Sequence, residues 1–155
     1  MNHFEFTGET KVFLGITLKR IKASVSFSTV IKGQIGGWIE KEENLSDNAW
    51  VSGNARVYGN ARVYGNAWVY GDAQVYGDAW EKSPLHIVLT RWSLTVSSKT
   101  IITIGCNSFT VPKWEEKAET IAQKEGMNVD EITEYKLAIQ YAKQWMAIYC
   151  KSKED

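Results

Sequence analysis

Leu45-Ser-Asp-Asn-Ala-Trp50 runs without interruption into Val51-Ser-Gly-Asn-Ala-Arg56, Val57-Tyr-Gly-Asn-Ala-Arg62, Val63-Tyr-Gly-Asn-Ala-Trp68, Val69-Tyr-Gly-Asp-Ala-Gln74 and Val75-Tyr-Gly-Asp-Ala-Trp80. A fixed short period is the signature of a β-solenoid, in which each repeat is one strand and one turn that cannot bury its apolar side alone. The aliphatic first position (Ile39, Leu45, Val51, Val57, Val63, Val69, Val75) and the alanine at the fifth (Ala49, Ala55, Ala61, Ala67, Ala73, Ala79) are expected to point inward, large beside small. Gly followed by Asn or Asp supplies residues that tolerate positive φ or bond their own backbone, as a sharp corner demands. Each hexad then forms one side and one corner of a narrow prism.

The rival reading is a β-meander with Gly-Asn hairpin turns. It would need strands of about four residues and identical turns throughout, against the usual strand length. The expected fold is therefore mainly β: a short left-handed parallel β-helix of hexapeptide repeats, with an N-terminal β-hairpin cap and two C-terminal α-helices. Its left-handed crossovers would depart from the usual right-handed rule.

With three hexads to a coil, residue n stacks on residue n+18. Trp50 is then expected against Trp68 and His86, Tyr58 against Tyr76, Arg62 against Trp80, and Trp38 against Arg56, Gln74 and Trp92. Such rows add about 0.5–1.5 kcal/mol per aromatic or cation–π contact. Trp50, Arg56, Tyr58, Arg62, Tyr64, Trp68, Tyr70, Tyr76 and Trp80 all fall at positions expected to face outward.

The segments divide as 1–38, an N-terminal hairpin and cap; 39–80, the hexapeptide β-helix; 81–109, an irregular β extension; and 110–155, a helical segment. Open ends of a solenoid invite edge pairing and need covering. Phe4–Phe13 and Ile16–Ile21 flank Gly15 with partial alternation and predict the covering hairpin. Leu85–Ile104 is rich in β-branched residues but lacks Gly-Asn corners, which predicts irregular strands extending the sheet faces. Thr110 and Pro112 open a helix whose apolar residues Val111, Trp114, Ala118, Ile121 and Ala122 share one face, and Gly126 ends it. A second helix begins at Asn128 with Glu131 as capping-box partner. It carries two apolar stripes, Ile132, Tyr135, Ile139, Ala142, Met146 and Tyr149 on one face, and Leu137, Tyr141, Trp145 and Ile148 on another. One stripe docks a helix on its own domain, so the second predicts an oligomer interface or burial between the solenoid and the first helix.

Composition narrows the function. Eighteen basic residues balance eighteen acidic ones, so no global field favours nucleic acid, a membrane surface or a highly charged substrate. Residues 1–38 carry five basic and two acidic groups, whereas residues 39–80 carry three and six. Two cysteines, Cys106 and Cys150, make no disulfide framework, no apolar run is long enough to span a membrane, and the start lacks a signal-peptide layout, which predicts a soluble cytoplasmic protein.

Phe4-Glu-Phe-Thr-Gly-Glu-Thr-Lys, Gly36-Gly-Trp-Ile-Glu-Lys-Glu-Glu-Asn-Leu-Ser and the Asn-Ala-x-Val-Tyr-Gly repeats, with Ile104-Gly-Cys and Ile132-Thr-Glu-Tyr-Lys further on, resemble a family of hexapeptide-repeat proteins common in bacteriophages and prophages. The resemblance covers nearly the whole chain, and the Gly-Gly-Trp-Ile-Glu block is its most specific part. Such proteins are often labelled hexapeptide transferases from the repeat alone. The segment Val12–Gly37 departs from the family pattern at Phe13-Leu-Gly-Ile and from Ser24 to Gln34. The resemblance implies a phage or prophage product that binds and modulates a host or defence protein.

Hexapeptide acyltransferases need a histidine base and a loop projecting from the coils to line an acyl-CoA cleft. The repeat has no loop insertion, and only His3 and His86 are present, leaving His86 as the one candidate base against a plain ladder residue. Two histidines fall short of a three-histidine zinc site. Cys106 reads as a small buried core residue, and Asp72 and Asp78 as corner-formers that share no calcium. Trp50, Arg56, Arg62, Trp68 and Trp80 would suit stacking of single-stranded nucleic acid, but the acidic balance of residues 39–80 opposes the phosphate term. The same aromatic and arginine set fits a protein interface without a positive field. The expectation is a non-enzymatic scaffold without cofactor or metal that self-associates and binds a protein partner, with an acyl-CoA-dependent acyltransferase and a single-strand nucleic-acid binder as alternatives.

Overall fold

A computed structural model of the chain describes residues 2–151. It is mainly β with two C-terminal helices, and divides into two compact units, Met1–Pro84 and Leu85–Asp155.

In the first unit the hexads form two-residue strands that pair in parallel. β3 (Ile35–Ile39), β5 (Arg56–Val57) and β8 (Gln74–Val75) are successive neighbours, with Ile39 against Val57 and Val57 against Val75. β4 (Trp50–Val51) pairs with β7 (Trp68–Val69), and β6 (Arg62–Val63) with β9 (Ala79–Trp80). The parallel sense disposes of the hairpin meander. From 39 to 57 and from 51 to 69 the step is eighteen residues, as the three-hexad spacing requires. The aliphatic first positions and the alanines from Ala49 to Ala73 are buried almost completely, as expected of inward positions. Gly53, Gly59, Gly65 and Gly71 hold φ between 61° and 65°, the left-handed region in which a side chain is strained.

The last hexad slips. Asp78, not Gly77, takes the positive φ, 68°, and the corner closes one residue early. Arg62 therefore pairs with Ala79 and Val63 with Trp80. Ala79 is exposed and Trp80 is buried, the reverse of the expected inward alanine and outward tryptophan, and the expected Arg62–Trp80 stack does not form. The Trp80 indole stacks in the row of Leu45 and Val63, and its Nε1 donates to Gly77 O at 2.8 Å.

The stack also ends sooner than expected. Ser83 Oγ accepts from the Trp68 backbone N–H at 2.8 Å, where a further strand would have offered a carbonyl. His86 and Trp92, the expected next rungs after Trp68 and Gln74, belong instead to the second unit, where His86 pairs with Thr95. Ser83→Ala is expected to cost about 1 kcal/mol, the worth of one such bond, with faster amide exchange at Trp68 as its local signature.

The N-terminal hairpin forms as expected. β1 (Phe4–Phe13) and β2 (Ile16–Ala23) turn at Leu14 and Gly15, both at positive φ, and β2 continues antiparallel onto β3, so hairpin and repeat share one five-stranded sheet. The Gly-Gly-Trp-Ile-Glu block has a packing reason. A Cβ on Gly36 would lie 2.7 Å from Val51 O, and one on Gly37 2.7 Å from Val51 Cγ1. Asn44, fully buried, accepts from the backbone N–H of Lys41 (2.9 Å) and Glu40 (3.2 Å) and donates to Ala61 O (2.8 Å) and Gly59 O (3.3 Å). Glu40 Oε1 accepts from Gly59 N at 2.8 Å. These side chains satisfy the backbone groups that the first hexads leave open.

The second unit is an antiparallel meander, β10 (His86–Val88), β11 (Ser93–Ser98), β12 (Ile101–Ile104) and β13 (Asn107–Phe109), followed by α1 (Val111–Lys124) and α2 (Val129–Tyr149). The expected irregular extension of the repeat faces over 81–109 is thus a separate sheet. Without Gly-Asn corners the β-branched runs have nothing to turn them every six residues, and they pair instead by hairpins. Trp114, fully buried, donates its Nε1–H to Ile102 O at 2.7 Å and packs edge-on against Phe109 and Tyr135. Burial pushes the Tyr135 phenol well above its ordinary pKa. Asn128 and Glu131 form the expected capping box, and Gly126 ends α1 at φ 72°. Cys106, expected in the core, is exposed at the β12–β13 turn beside Gly105. Among the described residues no helix is long and apolar enough to cross a membrane.

Candidate functional site

The nine outward positions do not form one aromatic surface. On the side built by β3, β5 and β8, Trp38, Arg56 and Gln74 are register partners, and Tyr58 and Tyr76 stack at 5.7 Å between ring centroids. The hairpin closes over this row. Leu18 makes a small second core with Trp38 and Tyr58, flanked by Phe13, Ile16 and Tyr76. Tyr58 is thereby buried, not presented to a partner, and burial raises its phenol pKa.

On the side built by β4 and β7, Trp50 and Trp68 pair as expected, yet Trp50 is fully buried. Phe27 stands 5.5 Å from it edge-on, and His3 packs on Phe4, Phe27 and Trp50 while its Nε2 meets Ala49 O at 2.7 Å. The N-terminal residues and the segment around Phe27 cover what the periodicity alone leaves open. Nothing in the hexad pattern announces that cover.

Of the five tryptophan and arginine positions weighed for single strands, Trp50 and Trp80 are buried while Arg56, Arg62 and Trp68 keep exposed surface, and Trp50, Tyr58 and Trp80 leave the set of candidate binding residues. Arg62 and Tyr70 are exposed, and Arg56, Tyr64, Trp68 and Tyr76 are partly so. A shallow depression of about 430 Å³ at the corner beside Arg62 is lined by Lys41, Glu43, Asn60 and Ala61.

Three cations gather where the hairpin meets the repeat. Arg20, Trp38 and Arg56 are register partners on three adjacent strands. Lys11 Nζ sits 4.3 Å from the Trp38 ring centroid and Arg20 Cζ 5.2 Å from it, and Arg56 Cζ lies 4.2 Å over the Phe13 ring. Burial holds the Lys11 ammonium below its ordinary pKa, and the nearby Arg56 and Arg20 push it further down. Arg56 is also held down by burial, opposed by Tyr58 and Asp72.

His86 is buried in the second unit, with its Nδ1 3.0 Å from Thr95 Oγ1 across the β10–β11 pair. It stands on β10, an edge strand of the four-stranded sheet, with little of its surface exposed. Among the described residues no cluster of three or more His, Cys, Asp or Glu could hold a metal ion.

On α2 the first stripe is the docked one, with Tyr135, Ile139, Ala142 and Met146 buried, although Tyr149 emerges at its end. The second stripe stays out. Leu137, Tyr141 and Ile148 are each more than half exposed, and Trp145 stacks on Tyr149 at 5.1 Å. The α1 helix engages other residues, through Lys143 to Glu115 (3.0 Å) and Lys136 to Glu119 (3.4 Å). The α1 helix therefore does not cover the second stripe. Leu137 and Tyr141 instead line a groove of about 510 Å³ with Ile87, Leu89 and Ala138.

Residues 55–71 match a family model described as the YdcK beta solenoid repeat, so the central hexads are similar to a known β-solenoid repeat. No curated protein matches the chain.

Proposed function

We propose that the chain is a non-enzymatic binding scaffold that joins a second copy of itself through α2 and offers the exposed part of its repeats to a protein. The single observation that carries the reading is the second α2 stripe. Leu137, Tyr141 and Ile148 are exposed large apolar side chains on one helix face, with Trp145 among them.

Magnitudes favour a like partner. Burying one stripe of four such residues contributes roughly 6–12 kcal/mol, which falls inside the roughly 4–15 kcal/mol that association costs and leaves little surplus. A two-fold contact of α2 with its own copy buries the stripe twice, roughly 12–24 kcal/mol, which exceeds most of that range. The surface left for another protein is Arg62 and Tyr64 on one side of the repeat and Trp68 and Tyr70 on the next, the residue types that anchor interfaces. The three parallel ladders fit three sides of a left-handed hexapeptide coil, for which the eighteen-residue step is the support. The resemblance to phage and prophage repeat proteins supports a host or defence protein as the partner.

The test is mass in solution. Light scattering after gel filtration should give a dimer for the natural chain, and Leu137→Glu with Tyr141→Glu should give a folded monomer. A natural chain that stays monomeric up to ~100 µM ends the self-association reading, since a contact of this size is expected at micromolar affinity or better.

A further inference from the structure

We propose that Lys11, Arg20 and Arg56, gathered over Trp38 and Phe13, form a receptor for a phosphate-class oxyanion. The inference is independent of the α2 contact.

Three unlike elements bring the cations together: Lys11 from β1, Arg20 from β2 and Arg56 from the repeat. Adjacent strands lie about 4.8 Å apart, so the two arginines flank Trp38 from either side while Lys11 reaches over its ring. Like charges at this spacing repel, and the rings beneath them remove water from one side, which strengthens every charge interaction on that face. The arrangement costs energy unless anions meet it.

The chain supplies few. Arg20 reaches Glu9 only at 4.0 Å, and Glu9 is itself largely exposed. Its Nε donates to Gly36 O at 3.1 Å, which fixes the guanidinium and brings no counter-charge of its own. Arg56 touches the Asp72 backbone carbonyl at 3.5 Å, while the Asp72 carboxylate acts on it from a distance. Its Nε is buried with no hydrogen-bond partner. Lys11 has its cation–π contact and no ion pair among the described residues. Two guanidinium forks and an ammonium suit a tetrahedral oxyanion, which accepts from several directions at once, better than a single planar carboxylate. The sequence bias agrees, since the first thirty-eight residues hold five basic and two acidic groups.

The probe is inorganic pyrophosphate, titrated into the ¹⁵N-labelled chain at low salt while the indole N–H of Trp38 and the Nε–H of Arg56 are followed. Saturable shifts at both are expected. Lys11→Gln, which removes a partly exposed side chain, should weaken binding about tenfold, the loss of one charge-assisted bond, and Arg56→Lys should keep binding partly where Arg56→Gln loses it. A hexaglutamate peptide and an oligothymidylate serve as the other arms. The proposal is overturned if pyrophosphate shifts neither signal at millimolar concentration, if Lys11→Gln binds as tightly as the natural chain, or if the peptide or the oligonucleotide saturates the signals and pyrophosphate does not.

Discussion

Asn44→Ala lowers the stability of the first unit by about 3–4 kcal/mol, more than any exposed substitution in the repeat. The amide is fully buried and holds four backbone groups, the two N–H just after β3 and two carbonyls of the hexad Val57–Arg62. Removing it leaves the Lys41 N–H and the Ala61 carbonyl without their short bonds, and an unsatisfied buried group costs about 1–3 kcal/mol. Asn44→Asp is the sharper variant. It keeps both acceptor contacts but turns a donor toward two carbonyls into a second negative oxygen, so it should be at least as damaging as alanine. Residue-resolved amide exchange decides the matter, because the two units are separately compact. Protection should fall through Trp50–Val75 while Leu94–Ile104 stays protected. Equal loss in both units, or none in the first, would show that Asn44 does not hold the start of the stack.

The interior of the repeat was readable from sequence because its rule is strictly local: one aliphatic, one alanine and one left-handed corner in every six residues. Parallel pairing, the eighteen-residue step from Ile39 to Val57 and the capping box at Asn128 all follow from spacing alone. What lay hidden depends on contacts between distant segments. His3 and Phe27 cover Trp50, and Leu18 with Phe13 covers Tyr58 and Trp38, so residues that the period places outward become buried. The cation cluster carries no sequence signal for the same reason, since Lys11, Arg20 and Arg56 meet only once the hairpin lies on the repeat. Eighteen-residue counting places His86 on a rung because it carries no signal for where the stack stops. The second α2 stripe was legible, because helical spacing assigns a face whether or not anything covers it.

The slipped hexad is the subtlest departure and yields the other large effect. Val75-Tyr-Gly-Asp-Ala-Trp80 matches the period letter for letter, yet Trp80 lies in the aliphatic row with Leu45 and Val63. A valine there would leave the end of the row open to water; the indole fills it and its N–H returns to Gly77 O. Trp80→Ala should therefore cost about 3–5 kcal/mol, as for other buried tryptophans. Trp80→Leu, which keeps apolar bulk but loses the indole bond, should cost less than half as much. The comparison with Trp68→Ala is decisive. Trp68 is partly exposed at the regular sixth position, and if Trp80 were also an outward ladder residue the two substitutions would cost the same. Chemical denaturation of the three variants, followed by amide exchange at Val63 and Tyr64, separates the cases. A Trp80→Ala cost no larger than that of Trp68→Ala would return the last hexad to the unbroken register and place the end of the interior elsewhere.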